Sequence, residues 1–265
     1  MLDITHKTTT LRQATAKAEV EVSKEETIDA VKNKEVPKGD VLEAARVAGL
    51  YGVKRTSDMI PDCHPMPVEH AEVNFEYGDN KIFIEMHVKT IYRTGVEVES
   101  MHGASVVALT IYDMLKPIDK GVKVKNIELK EKKGGMSDYR KKFKEELSAC
   151  VIVCSDTISK GKKEDKAGIA IKEELEENSV EVKNYEIIPD DPDEINKKAS
   201  EAEKANYDLL IFSGGTGLSP RDFTPDTLKP LLDREIPGIS EAIRAYGQER
   251  TPYSMLSRSL AGVIN

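Results

Sequence analysis

Asp113 and Lys116 lie three positions apart in the apolar run LTIYDMLK at residues 109–116. Side chains at this spacing share one face of a helix, so the carboxylate and the ammonium group can meet. A surface ion pair, which adds only ~0.3 kcal/mol to stability, is the simplest interpretation. The alternative is proton transfer, since a lysine that is partly buried or close to other cations has a lowered pKa and exchanges protons near neutrality.

Further polar residues of the first half lie near the predicted ends of helices and strands, where they have no evident structural role. They are Lys38, Cys63, His64, Glu97 and Glu99. A lone histidine in a loop, such as His64, is more often a surface or capped residue than a catalytic one. Together with Asp113 and Lys116, these residues are the candidate reactive groups of the first half.

A glycine-rich segment, GGTGLSPRD at residues 214–222, directly follows the predicted strand LLIF. Glycines let backbone N–H groups approach an oxyanion, and Arg221 can add a charged fork. Thr224 and Pro225 are typical of the cap and the first position of a helix, whose N-terminus adds partial positive charge. The alternative is a plain structural turn. The segment predicts an anion-binding cradle that is neither a Walker loop nor a dinucleotide fingerprint.

Three aspartates of the second half follow predicted strands or the glycine segment. They are Asp156 in CSDT, Asp190 in IIPDD and Asp222 in SPRD. Carboxylates beside a phosphate cradle suit Mg²⁺, which neutralises developing charge in nucleotidyl transfer. Taken singly, each of the three is more often a helix cap or a loop residue.

The 265-residue chain is 39% hydrophobic and 32% charged, with a net charge of −8 and three cysteines. This composition is typical of a globular protein of roughly two domains. The negative charge gives no reason to expect nucleic acid or a membrane as a partner, and no run approaches the ~18 apolar residues that span a bilayer. Because the N-terminus lacks an apolar leader and the cysteine count is odd, we expect a cytoplasmic protein with free thiols and no structural zinc.

Hydrophobic periodicity in the first half predicts the elements that position its reactive residues. They are a strand at 14–22, a helix at 24–34, a second helix capped by Asp40, a hairpin around 78–80, a helix at 98–115 and a strand at 122–129. Alternation with period two marks the strands, and small residues mark the second helix as one that packs closely. The order β-α-β-β-α-β with an extra helix matches a ferredoxin-like α+β domain.

Strands and helices alternate in the second half. Strands are predicted at 149–154, 180–188 and 209–212, and helices at 166–177 and 193–205. This alternation predicts an α/β domain with a doubly wound parallel sheet, whose ligands bind at the carboxyl ends of the strands. The charged stretch KKGGMSDYRKKFKEEL separates the two halves. We place the domains at 1–136 and 148–265, joined by a linker at 137–147.

Four stretches of the first domain closely resemble the MoaC family, the cyclic pyranopterin monophosphate synthases of molybdenum cofactor biosynthesis. They are KGDVLEAARVAGLYGVKRTSDMIPDCHPMP, RTGVEVES, ASVVALTIYDMLK and LKEKKGG. The resemblance spans nearly all of residues 1–136 and implies a lyase that needs no cofactor. The implied reaction converts 3′,8-cyclo-7,8-dihydro-GTP to cyclic pyranopterin monophosphate and releases pyrophosphate.

The same resemblance implies roles for individual residues. The implied catalytic residues are Asp113, Lys116, Lys38 and His64. The implied substrate-binding residues are Asp62, Cys63, His64, Glu97, Val98, Glu99, Arg12 and Lys132. In this family the site lies between subunits of a hexamer, so we expect a homo-oligomer in which residues of different copies meet.

The second domain resembles the MoaB/MogA family of molybdopterin-binding proteins through CSDT, IIPDD and SGGTGLSPRDFTPDTLKPLLDREIPGISEAIR. The implied molybdopterin-binding residues are Gly214, Gly215, Thr216, Gly217, Ser219, Arg221, Asp222, Asp190 and Glu241. Asp190 and Asp222 are the implied Mg²⁺ ligands. The implied partners of the whole chain are therefore small molecules, namely pterins and nucleotide-derived substrates.

The MoaB/MogA family continues with a further strand and a Pro-Gly-Ser loop, whereas this chain ends at LAGVIN. We therefore expect a C-terminally incomplete second domain. Two functions are open for it. One is the Mg²⁺-dependent adenylylation of molybdopterin by ATP that active family members perform. The other is a non-catalytic module that binds pterin and promotes oligomerisation.

Overall fold

The computed structural model describes residues 1–135 and 146–264. The chain divides into two compact units, Met1–Lys141 and Lys142–Asn265. The predicted linker at 137–147 lies almost entirely outside the described residues. Within the described ranges, no helix is both long enough and apolar enough to cross a membrane.

Four antiparallel strands build the sheet of the first unit. They are β1 (Thr10–Glu21), β2 (His70–Gly78), β3 (Lys81–Tyr92) and β4 (Lys123–Lys133), in the order β2-β3-β1-β4 across the sheet. The period-two pattern of β3 predicts which face it buries, and the structure agrees. On that face, the four residues Ile82, Ile84, Met86 and Val88 are at most 1% exposed. The predicted β2–β3 hairpin turns at Asn80, whose φ of 54° is a left-handed conformation that asparagine tolerates.

The helices of the first unit pack on one another and on the sheet. They are α1 (Glu25–Lys32), α2 (Val41–Lys54), α3 (Thr56–Met59) and α4 (Glu97–Leu115). Asp40 caps α2 as predicted, because its side chain accepts a hydrogen bond from the backbone N–H of Glu43. A Cβ on Gly52 would lie 2.9 Å from Val106 Cγ2, so α2 and α4 approach closely. The observed order of helices and strands is the predicted one, except for α3. That helix has only four residues, too few to show a periodicity in the sequence, and it was therefore not predicted.

The second unit is built on a parallel sheet. Its strands β5 (Leu147–Cys154), β6 (Val180–Ile188) and β7 (Leu209–Ser213) lie in the order β6-β5-β7. Central β5 buries every residue from Ser148 to Cys154, which explains its continuous apolar run. The helices are α5 (Asp156–Ser159), α6 (Ala167–Glu177), α7 (Pro192–Lys204), α8 (Thr224–Leu228) and α9 (Pro237–Gln248). The predicted α/β organisation with a parallel sheet is confirmed.

A two-stranded sheet in the second unit was not predicted. It pairs β8 (Arg234–Glu235) with β9 (Gly262–Val263) in antiparallel register. Strands of two residues leave no alternation in the sequence, so only the tertiary pairing reveals them.

Candidate functional site

Lys38, Asp113 and Lys116 form one ion-paired group, here called the triad, at the C-terminal end of α4. Lys116 is the C-cap of α4, and Lys38 lies in the loop before α2. Lys38 Nζ is 2.6 Å from Asp113 Oδ2, and Lys116 Nζ is 2.8 Å from Asp113 Oδ1. Lys38 also donates to the carbonyl oxygen of Asp113 at 2.9 Å. The predicted i,i+3 contact is therefore present, and a lysine from a distant segment joins it.

The pKa of Lys116 shifts in the direction opposite to that expected for a lysine near other cations. Hydrogen bonds from Lys116 and then Lys38 lower the pKa of Asp113 to about 2. The hydrogen bond to Asp113, followed by its charge, raises the pKa of Lys116. The expectation of a lowered lysine pKa is wrong here, because a carboxylate lies between the two cations. The three side chains are 38–52% exposed, so a polyanion can reach both ammonium groups.

A second group of charged residues lies at the N-terminal end of α4. Glu97 begins that helix, and its Oε1 is 3.2 Å from Lys132 Nζ on β4. Arg12 on β1 donates to two backbone carbonyl oxygens at the end of β3, at 3.3 and 3.2 Å. A Cβ on Gly135 would collide with the Arg12 guanidinium group. Glycine at this position therefore leaves room for the guanidinium.

Buried Glu99 and the Cys63 thiol belong to the same end of α4. Glu99 is 3% exposed, and burial followed by the charge of Glu97 raises the pKa of its carboxyl. Burial, then the charges of Glu99 and Asp62, raise the pKa of the Cys63 thiol. Val98 is 41% exposed. We call Arg12, Cys63, Glu97, Glu99 and Lys132 the Glu97 cluster.

Asp62 and His64, on either side of Cys63, contact the first residues of the chain. Asp62 Oδ1 lies 3.1 Å from the ammonium group of Met1, and the Asp62 side chain is 89% exposed. His64 Nε2 donates to the carbonyl oxygen of Leu2 at 2.8 Å. Within the described residues, no hydrogen bond or ion pair joins either side chain to the triad.

The triad and the Glu97 cluster occupy opposite ends of one helix. Glu97 and Asp113 are sixteen positions apart in α4. At a rise of 1.5 Å per residue, their backbones are about 24 Å apart. A single chain therefore unites Lys38 with Asp113 and Lys116, but it does not bring the other predicted substrate-binding residues to them.

In the second unit, the glycine loop at residues 214–222 leaves β7 through two glycines with left-handed backbone. Gly214 and Gly215 have φ of 109° and 61°. A Cβ on Gly214 would collide with the carbonyl oxygen of Cys154, and one on Gly215 would lie 2.6 Å from Asp190 Oδ1. Backbone conformation and close approach both require glycine here.

Three consecutive carbonyl oxygens of the glycine loop are held by other parts of the second unit. The carbonyl of Gly215 accepts from Thr224 N at 3.2 Å, and those of Thr216 and Gly217 accept from Arg258 N and Nε at 2.8 Å. No hydrogen bond among the described residues uses the N–H groups of the same three loop residues. Unpartnered backbone donors in a glycine turn form a concave site for an anion.

Arg258 holds the glycine loop and was not predicted from the sequence to take part in this site. Its Nη1 lies 2.6 Å from Asp226 Oδ2, and its Nη2 donates to the carbonyl oxygen of Asp222. Ser257 Oγ lies 3.3 Å from Thr216 Oγ1. The signal in the sequence is faint, a polar Ser-Arg-Ser stretch between apolar residues, which is typical of loops that carry function.

Asp222 and Asp190 have different surroundings. Asp222 Oδ2 accepts a hydrogen bond from Ser219 N at 2.8 Å, which closes the end of the loop. Asp190 Oδ1 is buried and has no hydrogen-bond partner among the described residues. Burial first, and then the charges of Asp156 and Asp222, raise the pKa of Asp190. Asp156 and Asp222 therefore both repel the charged form of Asp190.

These oxygen donors fit Mg²⁺ in a site that protein side chains complete only in part. Among the described residues, no three His, Cys, Asp or Glu side chains form a ready metal-binding group. Mg²⁺ commonly takes one or two carboxylates and fills its other positions with water and substrate phosphates. Asp190 suits that mode, because one of its oxygens is unpartnered. One oxygen of Asp222 is already occupied by a backbone donor.

Thr224 is not the cap of its helix, contrary to the prediction. Phe223 is the N-cap of α8, and Thr224 is its first residue. The Thr224 N–H is bonded to the carbonyl of Gly215. Arg221 is exposed, and its charge acts on Asp190. Glu241 lies at an exposed position of α9, and no hydrogen bond or ion pair of the described chain joins it to the loop.

Two protein families match the two halves of the chain. Residues 1–135 match the family described as "MoaC family". Residues 150–264 match the family described as "Probable molybdopterin binding domain".

Relatives of known name match either the whole chain or its first half. A "Molybdenum cofactor biosynthesis bifunctional protein" of Chlorobaculum tepidum is 39% identical over 100% of this chain and 83% of its own length. A protein of the same name from Synechococcus elongatus is 33% identical over 98% of this chain and 85% of its own length. A "Cyclic pyranopterin monophosphate synthase" of Natranaerobius thermophilus is 48% identical over 52% of this chain and 87% of its own length.

Proposed function

The chain belongs to the MoaC family and carries a second domain of the molybdopterin-binding family, and on that premise we propose that it is a bifunctional protein of molybdenum cofactor biosynthesis. The first unit is a cyclic pyranopterin monophosphate synthase. It rearranges the cyclised GTP intermediate into a pyranopterin, closes a cyclic phosphate and releases pyrophosphate. The second unit binds molybdopterin.

The triad is the observation that carries the lyase proposal. Two ammonium groups share one carboxylate, with nitrogen–oxygen distances of 2.6 and 2.8 Å, and remain accessible to a triphosphate. Lys116 is an ammonium group at neutral pH, as an ordinary lysine is, and we assign it the role of proton donor. Its ion pair with Asp113 raises its pKa, so it gives up the proton only to a strongly basic atom of the substrate. Asp113 is a poor base at a pKa of about 2, and it orients the two lysines instead. Lys38 acts beside Lys116 on the substrate.

The Glu97 cluster recognises the remainder of the substrate in this proposal. Arg12 and Lys132 are cations suited to phosphate oxygens. Glu97 and Glu99 offer carboxyl groups that hydrogen-bond to the guanine-derived ring. We assign the remaining substrate contacts to Asp62, His64 and Val98, as the family resemblance implies.

Each complete site is shared by two copies of the chain in this proposal. The reason is the separation of about 24 Å between the two ends of α4, which a nucleotide-sized substrate does not bridge within one copy. One copy supplies the triad and its neighbour supplies the Glu97 cluster. We assign each first unit to the ferredoxin-like class, which the sheet order β2-β3-β1-β4 supports, and propose a homo-hexamer.

Pyrophosphate release from the cyclised GTP intermediate tests the lyase. We expect the wild-type protein to release pyrophosphate and to form a pterin product that mass spectrometry detects. Lys116→Ala should lose this activity. Lys120→Ala changes another exposed lysine, four positions beyond Lys116, and as the matched control it should keep the wild-type rate. Intact substrate after incubation with folded protein contradicts the proposal.

For the second unit, the glycine loop supports binding of the pterin's phosphate. The unpartnered N–H groups from Gly215 to Gly217 are suitable donors, and exposed Arg221 adds positive charge. Ser219 and Glu241 complete the proposed pterin site. A bound Mg²⁺ would neutralise charge on the phosphates of ATP during adenylyl transfer, and Asp190 and Asp222 are the residues to hold it.

Adenylylation and simple binding give different results in one experiment. The protein is incubated with molybdopterin and MgATP, pterin fluorescence reports binding, and mass spectrometry detects pterin–AMP. Formation of pterin–AMP supports the transferase. Binding without pterin–AMP supports the non-catalytic module, and absence of binding contradicts the pterin site itself.

A further inference from the structure

Helix α9 buries a face of polar and small residues. Ser240 is buried, and Arg244 and Gly247, four and seven positions later, are half-buried. The apolar residues Ile239 and Ile243 lie on the outer face instead, with exposures of 47% and 56%. Removing a charged group from water costs free energy unless that group is well hydrogen-bonded. An arginine on the inner face of a helix therefore has to be explained by its contacts.

Arg244 contacts both neighbours of Arg258. Its Nη1 lies 3.4 Å from the carbonyl oxygen of Ser257, 3.3 Å from that of Ser259 and 3.0 Å from the Ser259 hydroxyl oxygen. These serines belong to the return segment, which we define as residues 249–261 between α9 and β9. Because the guanidinium group holds the residues before and after Arg258, it restricts the backbone at Arg258 itself.

Other contacts hold the return segment against α9. Ser254 Oγ donates to the carbonyl oxygen of Arg244 at 3.1 Å, and Met255 N donates to Gln248 Oε1 at 3.1 Å. A Cβ on Gly247 would collide with Ser254, so the segment runs close to the helix backbone. Helix α9 is therefore the support on which the return segment rests.

Arg258 connects the return segment to the glycine loop. Its backbone N–H donates to the carbonyl oxygen of Thr216, and its Nε donates to that of Gly217, both at 2.8 Å. In a trans peptide group the carbonyl and the next N–H point in opposite directions. Bonding of the Thr216 carbonyl to Arg258 therefore turns the Gly217 N–H away from Arg258, toward the side on which an anion is proposed to bind.

We propose that Arg244 is a positioning residue of this anion site, because it fixes Arg258 and Arg258 fixes the direction of the loop N–H groups. The two arginines act in series. No hydrogen bond within the described residues joins Arg244 to the glycine loop itself. This assignment rests on the pterin-phosphate site proposed for the second unit, but its first step, the fixing of Arg258, involves no ligand.

Hydrogen exchange of the Arg258 backbone N–H, measured on the ligand-free full chain by mass spectrometry with electron-transfer fragmentation, tests the first step. Arg244→Gln removes the guanidinium group, and we expect the Arg258 N–H to exchange at least about fivefold faster because its bond opens more often. Arg244→Lys keeps the charge but not the fork, so it should resemble Arg244→Gln. Arg234→Gln on β8 is the matched control and should keep the wild-type rate.

Ser259→Ala is a milder change to the same contact. It removes the hydroxyl acceptor at 3.0 Å and leaves both carbonyl oxygens in place. The Arg258 N–H should exchange about twofold faster, with a nearly unchanged melting temperature. Unchanged exchange in Arg244→Gln overturns the inference, and if that variant does not fold, unchanged exchange in Ser259→Ala overturns it.

Fluorescence titration with molybdopterin tests the second step. Arg244→Gln should weaken binding at least about threefold, because the loop N–H groups lose their fixed direction. In an Arg258→Lys background the same change should cause no further loss, since residues that act in series are not additive. Equal losses in both backgrounds would show that Arg244 acts independently of Arg258, which contradicts the inference.

Failure of the proposed function gives a different result. Absence of molybdopterin binding by the wild type contradicts the pterin site. The exchange rates contain no contribution from pterin, so they then decide by themselves whether Arg244 fixes Arg258.

Discussion

Asp113 is shared by two lysines that come from different parts of the chain. The three side chains are 38–52% exposed, and exposed ion pairs contribute little to stability because solvent and salt screen them. What the triad does provide is geometry, with two ammonium groups held at a fixed separation by one anion. An arrangement that is accessible and adds little stability is better explained by substrate chemistry than by folding.

Lys116→Ala removes one ammonium group from the triad. We expect turnover to fall by at least about 100-fold, which is typical when a positioned proton donor is lost. The melting temperature should hardly change, because the ion pair is exposed. Pyrophosphate release and calorimetry measure the two effects. Lys116→Arg keeps the charge without an efficient proton donor and should remain inactive, whereas a large loss of stability with residual turnover would restore the surface ion pair interpretation.

Asp119 connects the start of α1 to the turn between α4 and β4. It is 1% exposed, and its carboxylate accepts hydrogen bonds from the backbone and hydroxyl of Ser23, the hydroxyl of Thr27 and the backbone of Gly121. Burial alone would raise the pKa of Asp119, but these hydrogen bonds outweigh burial and lower it. One carboxylate therefore holds the turn that follows the triad to the segment between β1 and α1.

Asp119→Ala leaves these buried donors unpaired and should cost about 2–3 kcal/mol in free energy of unfolding at neutral pH. Because the folded pKa is lowered, the carboxylate stabilises the fold above its ordinary pKa of about 3.9 and loses that effect as pH falls through the lowered value. The difference in free energy of unfolding between wild type and variant should therefore shrink as pH falls through the ordinary value and then through the lowered one. Urea denaturation, with hydrogen exchange of α1, measures it; a pH-independent difference would indicate lost packing instead.

The glycine loop depends on Arg258, which contacts three of its carbonyl oxygens through its backbone and its guanidinium group. Arg258→Lys keeps the positive charge but cannot make the same fork of hydrogen bonds. We expect pterin-phosphate affinity to fall about tenfold, because loop N–H groups lose their fixed orientation. Fluorescence titration measures this affinity. Arg234→Lys on β8 is the control, and an unchanged affinity in Arg258→Lys would show that the loop orients itself.

If the site is shared as proposed, the assembled molecule, and not the single chain, is the active unit. Lys116→Ala chains lack the triad, and Glu97→Gln chains lack part of the cluster at the other end of α4. Co-refolded in equal amounts, these two inactive variants should recover about one quarter of wild-type turnover, since one site in four receives both intact halves. Pyrophosphate release measures the recovery.

The control for this experiment mixes two variants of the same half, Lys116→Ala and Lys38→Ala. That mixture should stay inactive, because no combination of its chains contains an intact triad. Recovery in neither mixture would place the whole site within one chain and would contradict a shared assembly.

The amino-acid sequence by itself determined the elements and the local contacts. The i,i+3 pair of Asp113 and Lys116, the alternation of β3, the Asp40 cap and the turn at Gly214 and Gly215 all depend on neighbours within a few positions. Local sterics and periodicity are properties of short segments, so they can be predicted from the sequence without knowledge of the fold. The two-residue strands and α3 were not predicted, because two to four residues are too few to show a periodicity.

Only the tertiary structure decided which distant residues meet. Lys38 reaches Asp113 across 75 positions, and Arg258 reaches Gly217 across 41. It also reversed the expected pKa direction for Lys116 and left Thr224 with a buried, unpartnered hydroxyl in the first turn of α8. Contacts over such separations are selected by the packing of whole elements, and a side chain's proton affinity follows from the charges that packing brings beside it.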